Sequence, residues 1–383
     1  MTARIVSIGT ATPPTMITQD RIRDFFAQQP GTDRLTLRLI RATFDAAEIE
    51  RRHTVLTELG AVSEKRSAGG DGIFIDPGGV LRAPGTAVRN AEYIRHAPEL
   101  SRQAAQMALD EAGMAASSIT HVVTASCTGC FAPGPDFRIV RDLGLSDATE
   151  RYHLGFMGCA AAFPALRAAE RFCAAQPDAV VLVVCTELCS LHIRPSSSPD
   201  QILSSSVFAD GSAAAVVTAA HADRPGLDLE RFATTLTSQG ESDMAWTIGD
   251  DGFEMVLTGE VPRIIGREIR GAVDAFLGNT VPTAWAVHPG GRSILDRVQA
   301  GLDLAPDALA TSRSVLRDYG NMSSATVMFI LREMLHDDAV DPGATIAGLA
   351  FGPGLTVESA LLTKRTAALA SAPPHDRHLA GAR

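Results

Sequence analysis

The sequence predicts an α/β protein, because segments typical of buried strands alternate with segments typical of helices along most of the chain. The strand segments are short apolar runs bounded by turn residues, and the helix segments are longer and rich in Ala. The composition supports a globular protein, with 45% hydrophobic and 20% charged residues among 383. A chain of this length is long enough for two or three domains, or for two units fused into one body.

The predicted elements follow one another in the same order in both halves of the chain. A Ser-led, Ala-rich stretch that stops at a glycine predicts a helix over 101–113. Apolar runs predict strands over 119–125, 178–185 and 211–217. The second half then offers a helix over 261–277, a strand over 283–287, a further helix, and a strand over 344–351.

This renewed alternation predicts two similar units, residues 1–222 and 223–365. Residues 62–86 contain eight glycines and prolines, which indicates an excursion loop. Residues 366–383 are predicted to be a disordered tail.

The charge balance excludes several classes of function. Lys+Arg 34 against Asp+Glu 44 gives a net charge of −10, which argues against general affinity for nucleic acids or anionic membranes. The only lysines are Lys65 and Lys364, and no Gly-Lys-Ser/Thr loop exists, so pyridoxal-phosphate enzymes, P-loop NTPases and kinases are excluded. Neither a signal-peptide pattern nor an apolar stretch long enough for a membrane span is found, so we expect a cytoplasmic protein.

All six cysteines lie between residues 127 and 189, and in a cytosolic protein we expect free thiols. Cys127-x-x-Cys130 could be a dithiol pair, or half of a zinc site completed by Cys185 and Cys189. The spacing of the second pair is unusual for zinc, and Cys127 follows a strand instead of opening a helix. We therefore expect no metal.

Cys159 is the first candidate catalytic residue. It precedes an uncharged stretch that contains Pro164, and a proline is tolerated only near the first turn of a helix. The helix should therefore start near residue 160 or 161 and leave the thiol at its N-terminus, where the helix dipole would lower the thiol pKa. The alternative interpretation is a small buried core cysteine.

His288 and Asn321 are the second and third candidates. His288 ends a buried strand just before Pro-Gly-Gly, where catalytic groups of α/β proteins often lie. Asn321 precedes a helix rich in small residues, and an ordinary N-cap is its alternative role. A thiol, an imidazole and an amide together supply a nucleophile, a base and a donor for an oxyanion.

The motifs around these residues resemble those of the type III polyketide synthases, the chalcone-synthase-like enzymes of the thiolase fold. The resemblance runs from about residue 3 to about residue 364. It is carried by Gly-x-x-Gly-Cys159, His288-Pro-Gly-Gly, Gly320-Asn-Met-Ser-Ser and Gly352-Pro-Gly-Leu-Thr-Val-Glu358. Pro-Gly-Pro-Asp-Phe at 133–137 and Phe208-Ala-Asp-Gly211 fit as well. The resemblance implies a five-layered α-β-α-β-α fold, made of two similar halves with the site between them, and a homodimer.

The resemblance also implies a mechanism. Cys159, as a thiolate paired with protonated His288, would accept an acyl group from acyl-CoA. His288 and Asn321 would stabilise the enolate formed when malonyl-CoA loses CO2, and this enolate would attack the Cys159 thioester. CoA thioesters would be the substrates, and no cofactor is expected.

Further residues take their expected roles from the same resemblance. Phe208 matches a gatekeeper phenylalanine between the CoA tunnel and the cavity, and Met255 is the nearest match to a second one, with Phe253 as the alternative. Four other residues match cavity-lining positions: Cys127, Cys189, His192 and Ser323. The family's basic CoA-binding positions fall on Ala42 and Ala46, so the expected substitutes are Arg38, Arg41 or Arg52.

The starter group remains open between alternatives. Small cavity residues, including two cysteines that resemble those of bacterial members, favour an aliphatic acyl-CoA starter and alkylpyrone or alkylresorcinol products. The same cysteines fit a malonyl-CoA-only tetrahydroxynaphthalene synthase. A condensing enzyme resembling ketoacyl synthase III, supplied by an acyl carrier protein, is a further alternative. Ketoacyl synthases that share the fold usually have His-Gln-Ala-Asn where this chain has His288-Pro-Gly-Gly, which argues against this last alternative.

Overall fold

The computed structural model describes residues 2–63, 72–220 and 224–366. The strands in these ranges are β1 (Arg4–Ala11), β2 (Thr15–Thr18), β3 (Arg51–Thr54), β4 (His121–Ser126), β5 (Glu150–Gly155), β6 (Val180–Leu188), β7 (Asp210–Thr218), β8 (Gly226–Leu236), β9 (Met244–Gly249), β10 (Gly252–Leu257), β11 (Ala284–Val287), β12 (Thr345–Gly352) and β13 (Thr356–Arg365).

The α-helices in the same ranges are α1 (Gln19–Ala27), α2 (Arg34–Asp45), α3 (Thr57–Ser63), α4 (Thr86–Ala112), α5 (Pro135–Leu143), α6 (Ala162–Ala175), α7 (Pro199–Val207), α8 (Val261–Leu277), α9 (Arg292–Gly301), α10 (Ala310–Tyr319) and α11 (Thr326–His336). Short 3₁₀ turns at Gly158–Ala160 and Ser323–Ala325 lead into α6 and α11.

One mixed sheet joins the two halves of the described chain. Its nine strands lie in the order β11-β12-β13-β8-β1-β7-β6-β4-β5. Strand β1 pairs antiparallel with β7 along its length, and its first residues also pair with β8. The hairpin of β9 and β10 lies outside this sheet.

Three hydrophobic cores define five layers. Helices α4 and α5 cover one face of the first half of the sheet, and α8 and α9 cover the outer face of the second half. The third core contains α6 and α11 together with side chains from both halves of the sheet. These two helices form the central layer, because their buried faces contact strands on either side.

Most predicted elements are confirmed, with shifted ends. Helix α8 matches its predicted bounds, and the strands predicted at 119–125, 178–185, 211–217, 283–287 and 344–351 correspond to β4, β6, β7, β11 and β12. The helix predicted over 101–113 ends as expected, with Gly113 in the left-handed conformation at φ 58°. It begins much earlier, at Thr86, and continues through Pro98.

Some predictions fall on parts of the chain that the structure does not describe. The boundary predicted at residue 222 lies within 221–223, most of the predicted tail lies within 367–383, and Lys65 and part of the 62–86 loop lie within 64–71. Lys364 is buried, and its ammonium group donates hydrogen bonds to the carbonyls of Met334 and Asp337. It therefore stabilises the end of α11.

Candidate active site

Cys159 lies in the 3₁₀ turn immediately before α6, as the position of Pro164 predicted. Helix α6 begins at Ala162, so Pro164 occupies its first turn, where its missing N–H costs no helical hydrogen bond. Gly158 is left-handed at φ 58°, and a Cβ there would lie 2.6 Å from the ring of Pro353. This close approach fixes the turn that presents the Cys159 sulfur. Cys159 as a whole is only 4% exposed.

His288 follows β11 and is fully buried. Its backbone N–H donates to the carbonyl of Leu349 at 2.8 Å, which extends the pairing of β11 with β12 by one residue. Neither ring nitrogen has a hydrogen-bond partner. Burial lowers the pKa of His288 to about 3, because the protonated ring would lose its hydration, so burial favours the neutral imidazole.

Asn321 enters the site from the turn before α11. Its side-chain oxygen accepts the backbone N–H of Ser323 at 2.8 Å, and this contact fixes the orientation of the amide. The amide nitrogen then donates to the carbonyl of Gly290 at 3.2 Å and lies 3.9 Å from the sulfur of Cys159. A donor is therefore held beside the candidate nucleophile.

The three candidates line one cavity of about 50 Å³, the inner chamber, although they lie far apart in sequence. The expected lowering of the thiol pKa by the helix N-terminus is opposed by burial, which raises the pKa of Cys159 to about 11. Burial thus disfavours both the thiolate and the imidazolium, and the ion pair of Cys159 with His288 stays a prediction.

Phe208 and Met255 separate the inner chamber from a second cavity of about 40 Å³, the side chamber. Both residues line both cavities, in agreement with a position between two compartments. Phe253 borders only the side chamber, so Met255 occupies the dividing position. The side chamber also contains the four residues predicted to line a cavity: Cys127, Cys189, His192 and Ser323.

A buried carboxylate supports one wall of the side chamber. Glu187 accepts hydrogen bonds from the hydroxyls of Ser324 at 2.6 Å and Thr128 at 2.8 Å, and from the backbone N–H of Cys127 at 3.0 Å. The Cys127 sulfur lies 3.5 Å from both Glu187 oxygens and 3.4 Å from the hydroxyl of Ser323. Burial raises the pKa values of both the Glu187 carboxyl and the Cys127 thiol.

Sequence reasoning missed the aromatic wall opposite. Trp246 donates from its indole N–H to the carbonyl of Cys127 at 2.6 Å, and its ring meets Phe253 edge to face. The imidazole of His192 stacks on Phe253 with ring centroids 4.5 Å apart. Strand β9 pairs with β10 and sets Trp246 opposite Met255, which brings Trp246 to the chamber. No sequence motif around Trp246 indicates this position.

The structure corrects one of the expected CoA contacts. Arg52 is buried, and its guanidinium donates to the backbone carbonyls of Ser205 and Phe208, each at 2.8 Å. It therefore supports the backbone of Phe208 from behind and cannot reach a solvent-borne phosphate. Arg38 and Arg41 are exposed on α2, and their CoA contact stays a prediction.

The described residues contain no group of three or more His, Cys, Asp or Glu side chains arranged to hold a metal ion. All six cysteines are free, with Cys130 exposed and Cys127 buried.

Comparison with known proteins gives the family. The chain matches the model "Chalcone and stilbene synthases, N-terminal domain" over residues 1–221 and the corresponding C-terminal model over residues 228–366. The chain belongs to the chalcone and stilbene synthase family. It is thus a type III polyketide synthase, an acyltransferase that uses CoA thioesters, and its fold is the thiolase fold that the five layers show.

Relatives match nearly the whole chain. Bisdemethoxycurcumin synthase of Oryza sativa subsp. japonica is 35% identical, with 94% of this chain and 92% of the relative covered. The solved structure of PKS-I from the brown alga Ectocarpus siliculosus is 30% identical, with a TM-score of 0.87 and coverage of 95% and 98%. The C-terminal type III domain of Steely1, a type I/III hybrid from Dictyostelium, is 28% identical, with a TM-score of 0.83 and coverage of 95% and 99%.

Among the described residues, no helix is both long enough and apolar enough to cross a membrane.

Proposed function

We propose that this synthase loads an acyl-CoA starter on Cys159, extends it with malonyl-CoA by decarboxylative condensation, and cyclises the product to an alkylpyrone or alkylresorcinol. The observation that carries this proposal is the meeting of Cys159, His288 and Asn321 around one inner chamber, which adjoins the side chamber at Phe208 and Met255. The inner chamber has the groups for acyl transfer, and the side chamber adjoins it.

Loading begins with proton transfer from the Cys159 thiol to His288. Neither ring nitrogen of His288 has a competing hydrogen-bond partner, so the ring is free to take this proton, and the thiolate formed beside it stabilises the imidazolium. The thiolate attacks the acyl carbonyl, and CoA leaves as a thiolate that takes the proton back from the imidazolium. The transfer inside the pair leaves the net charge of the pocket unchanged, which suits a buried site.

Extension requires stabilisation of the enolate. When malonyl-CoA loses CO2, negative charge develops on the thioester oxygen, and N–H donors of Asn321 and His288 would face it. The enolate carbon attacks the Cys159 thioester, which forms a carbon–carbon bond and releases the cysteine sulfur for the next acyl group. Neutral donors suit this step, because the charge appears only in the transition state.

The choice of an aliphatic starter rests on the residues of the side chamber. Cys127 and Cys189 are small and largely apolar, and neither offers an acid or base to an aromatic hydroxyl at neutral pH, since burial raises both thiol pKa values. A malonyl-only naphthalene synthase is the competing function, because the same small chamber suits a chain built from two-carbon units. We propose that the enzyme acts as a homodimer on free CoA thioesters. We also propose that it uses no cofactor, since the reaction needs only the three side chains.

Mass spectrometry of products from the purified enzyme tests this function. The enzyme is given malonyl-CoA alone and then malonyl-CoA with acyl-CoAs from acetyl to palmitoyl, and the Cys159 peptide is checked for a thioester. Products that follow the added acyl chain are expected. Product from malonyl-CoA alone would instead favour the naphthalene synthase, and no product and no adduct would point to a carrier-protein substrate.

A further inference from the structure

A third cavity, the outer cavity, lies between α1, α2 and α7 and has a volume of about 190 Å³. Its inner walls are apolar, formed by Phe26, Ile40, Phe44 and Ile202. Its rim is polar and opens to solvent beside the exposed residues Pro30 and Ser197. None of the three candidate catalytic residues lines it.

The outer cavity and the side chamber share a wall. Gln201 and Ser205, one turn apart on α7, line both cavities. A single layer of side chains therefore separates the side chamber from the larger outer cavity.

The Gln201 side chain in this shared wall is held by longer hydrogen bonds than the side chains of the opposite wall. The side-chain oxygen of Gln201 accepts from Nε of Arg194 at 3.1 Å, and its nitrogen donates to the carbonyl of Met255 at 3.3 Å, both near the long end of the usual range. On the opposite side, Trp246 donates at 2.6 Å, and both nitrogens of His192 are hydrogen-bonded. We therefore expect a ligand that is larger than the side chamber to displace the Gln201 side chain most readily.

The side chamber cannot hold an extended acyl chain. Its volume of about 40 Å³ has room for on the order of three water molecules. We propose that the Gln201 side chain swings aside and that the tail of an unbranched aliphatic acyl group passes between Gln201 and Ser205 into the outer cavity. This inference rests on the aliphatic starter of the proposed function and adds the place where its tail is bound.

The chemistry of the outer cavity fits a methylene chain. Phe26, Ile40 and Phe44 give an apolar surface without a buried acid, and the polar groups lie at the rim. Each methylene buried against such a surface strengthens binding by up to about fourfold. The rate constant for acylation of Cys159 should therefore rise with chain length until the tail reaches the polar rim.

Thr36→Trp tests the proposal by filling the outer cavity from α2. Thr36 lines this cavity but neither chamber, and Thr43→Trp places the same side chain on the same helix away from all three cavities. The readout is kcat/KM for Cys159 acylation by acyl-CoAs from two to sixteen carbons, followed by intact-protein mass spectrometry. We expect Thr36→Trp to lower the values for the longest chains at least tenfold and to leave acetyl-CoA within twofold, with Thr43→Trp unchanged.

A photoreactive label locates the tail directly. Wild-type enzyme is acylated with a long acyl-CoA that carries a terminal diazirine, irradiated and digested, and the labelled peptides are identified. Labels on α1, α2 or Ile202 support the proposal. Normal long-chain acylation with labels only on β9, β10 or α8, or with equal effects of Thr36→Trp and Thr43→Trp, would overturn it while leaving the aliphatic starter intact. Failure of every long acyl-CoA to acylate Cys159 would instead refute the aliphatic starter, and this inference with it.

Discussion

The guanidinium of Arg52 donates a 2.8 Å hydrogen bond to the backbone carbonyl of Phe208, the residue that divides the inner chamber from the side chamber. Its Cδ also approaches Gly320, where a Cβ would lie only 2.9 Å away. Gly320 is left-handed at φ 72° and immediately precedes Asn321. One buried side chain thus supports both the divider and the turn that presents the amide.

Arg52→Leu should therefore lower the stability of the folded protein. The carbonyls of Ser205 and Phe208 lose their donor, so we expect the free energy of unfolding in urea to fall by about 1–3 kcal/mol. Arg51→Leu is the matched control, because its exposed ion pair with Asp318 should contribute less than about 1 kcal/mol. Equal losses in the two variants would show that the buried hydrogen bonds do not support this turn.

The roles of Cys159 and Asn321 can be separated by half-reactions. Cys159→Ala should abolish acyl loading and leave decarboxylation of malonyl-CoA, because the enolate donors remain. Asn321→Ala should slow decarboxylation by about 10²- to 10³-fold, the usual effect of removing one oxyanion donor. CO2 release and the mass of the Cys159 peptide report the two steps.

Cys173→Ala is the control for the nucleophile, since this buried thiol lies on α6, the helix that follows Cys159, and its sulfur is 3.8 Å from the carbonyls of Ala179 and Val217. It should keep both half-reactions. Polyketide formed at a normal rate by Cys159→Ala would refute the thioester mechanism.

The protonation state of the free site predicts an unusual pH dependence of alkylation. Only the thiolate reacts with iodoacetamide, and a pKa of about 11 means that the thiolate fraction of Cys159 rises about tenfold per pH unit between pH 6 and 9.5. Mass spectrometry of the Cys159 peptide measures the rate of alkylation. The exposed thiol of Cys130 serves as the internal reference for the activity of the reagent. A rate that is already constant from pH 6 upward would indicate a preformed thiolate–imidazolium pair.

Trp246 is predicted to limit the size of the product. Trp246→Ala removes a ring that lines the side chamber and the donor to the Cys127 carbonyl, so longer products, or larger starters, should appear. Product masses measure the change at fixed substrate concentrations. Ile248→Ala, two residues further along β9 at an exposed position, should leave the product distribution as in wild type. Identical products from Trp246→Ala and wild type would remove Trp246 from this role.

The fold was largely predictable, because its central strands correspond to continuous runs of apolar residues in the sequence. Val180–Leu188 is buried at every position, and such a run has few alternatives to a central strand. The start of α4 was not predictable, because Pro98 removes a helical hydrogen bond and resembles a break. The helix continues through it because its buried face, including Tyr93 and Ala104, packs on the sheet.

The candidate site was predicted in its residues but not in its electrostatics. Cys159, His288 and Asn321 stand in recognisable motifs, so their identity needed no coordinates. Their protonation depends on burial by segments distant in sequence, and this burial reverses the expected effect of the helix dipole on the thiol. The role of Arg52 was missed for the same reason, since its partners at Ser205 and Phe208 lie more than 150 residues away.

The backbone pairing of Phe208 with Asn321 bears on enzymes built by recombining parental genes. Asn321 donates to the carbonyl of Val207 at 2.8 Å and accepts from the N–H of Ala209 at 2.9 Å, so the two segments are hydrogen-bonded at the reaction centre. A chimera that takes its first half from one parent and its second from another would inherit nucleophile and base from different ancestors. Crossovers should then succeed most often when residues 205–210 and 320–323 come from the same parent.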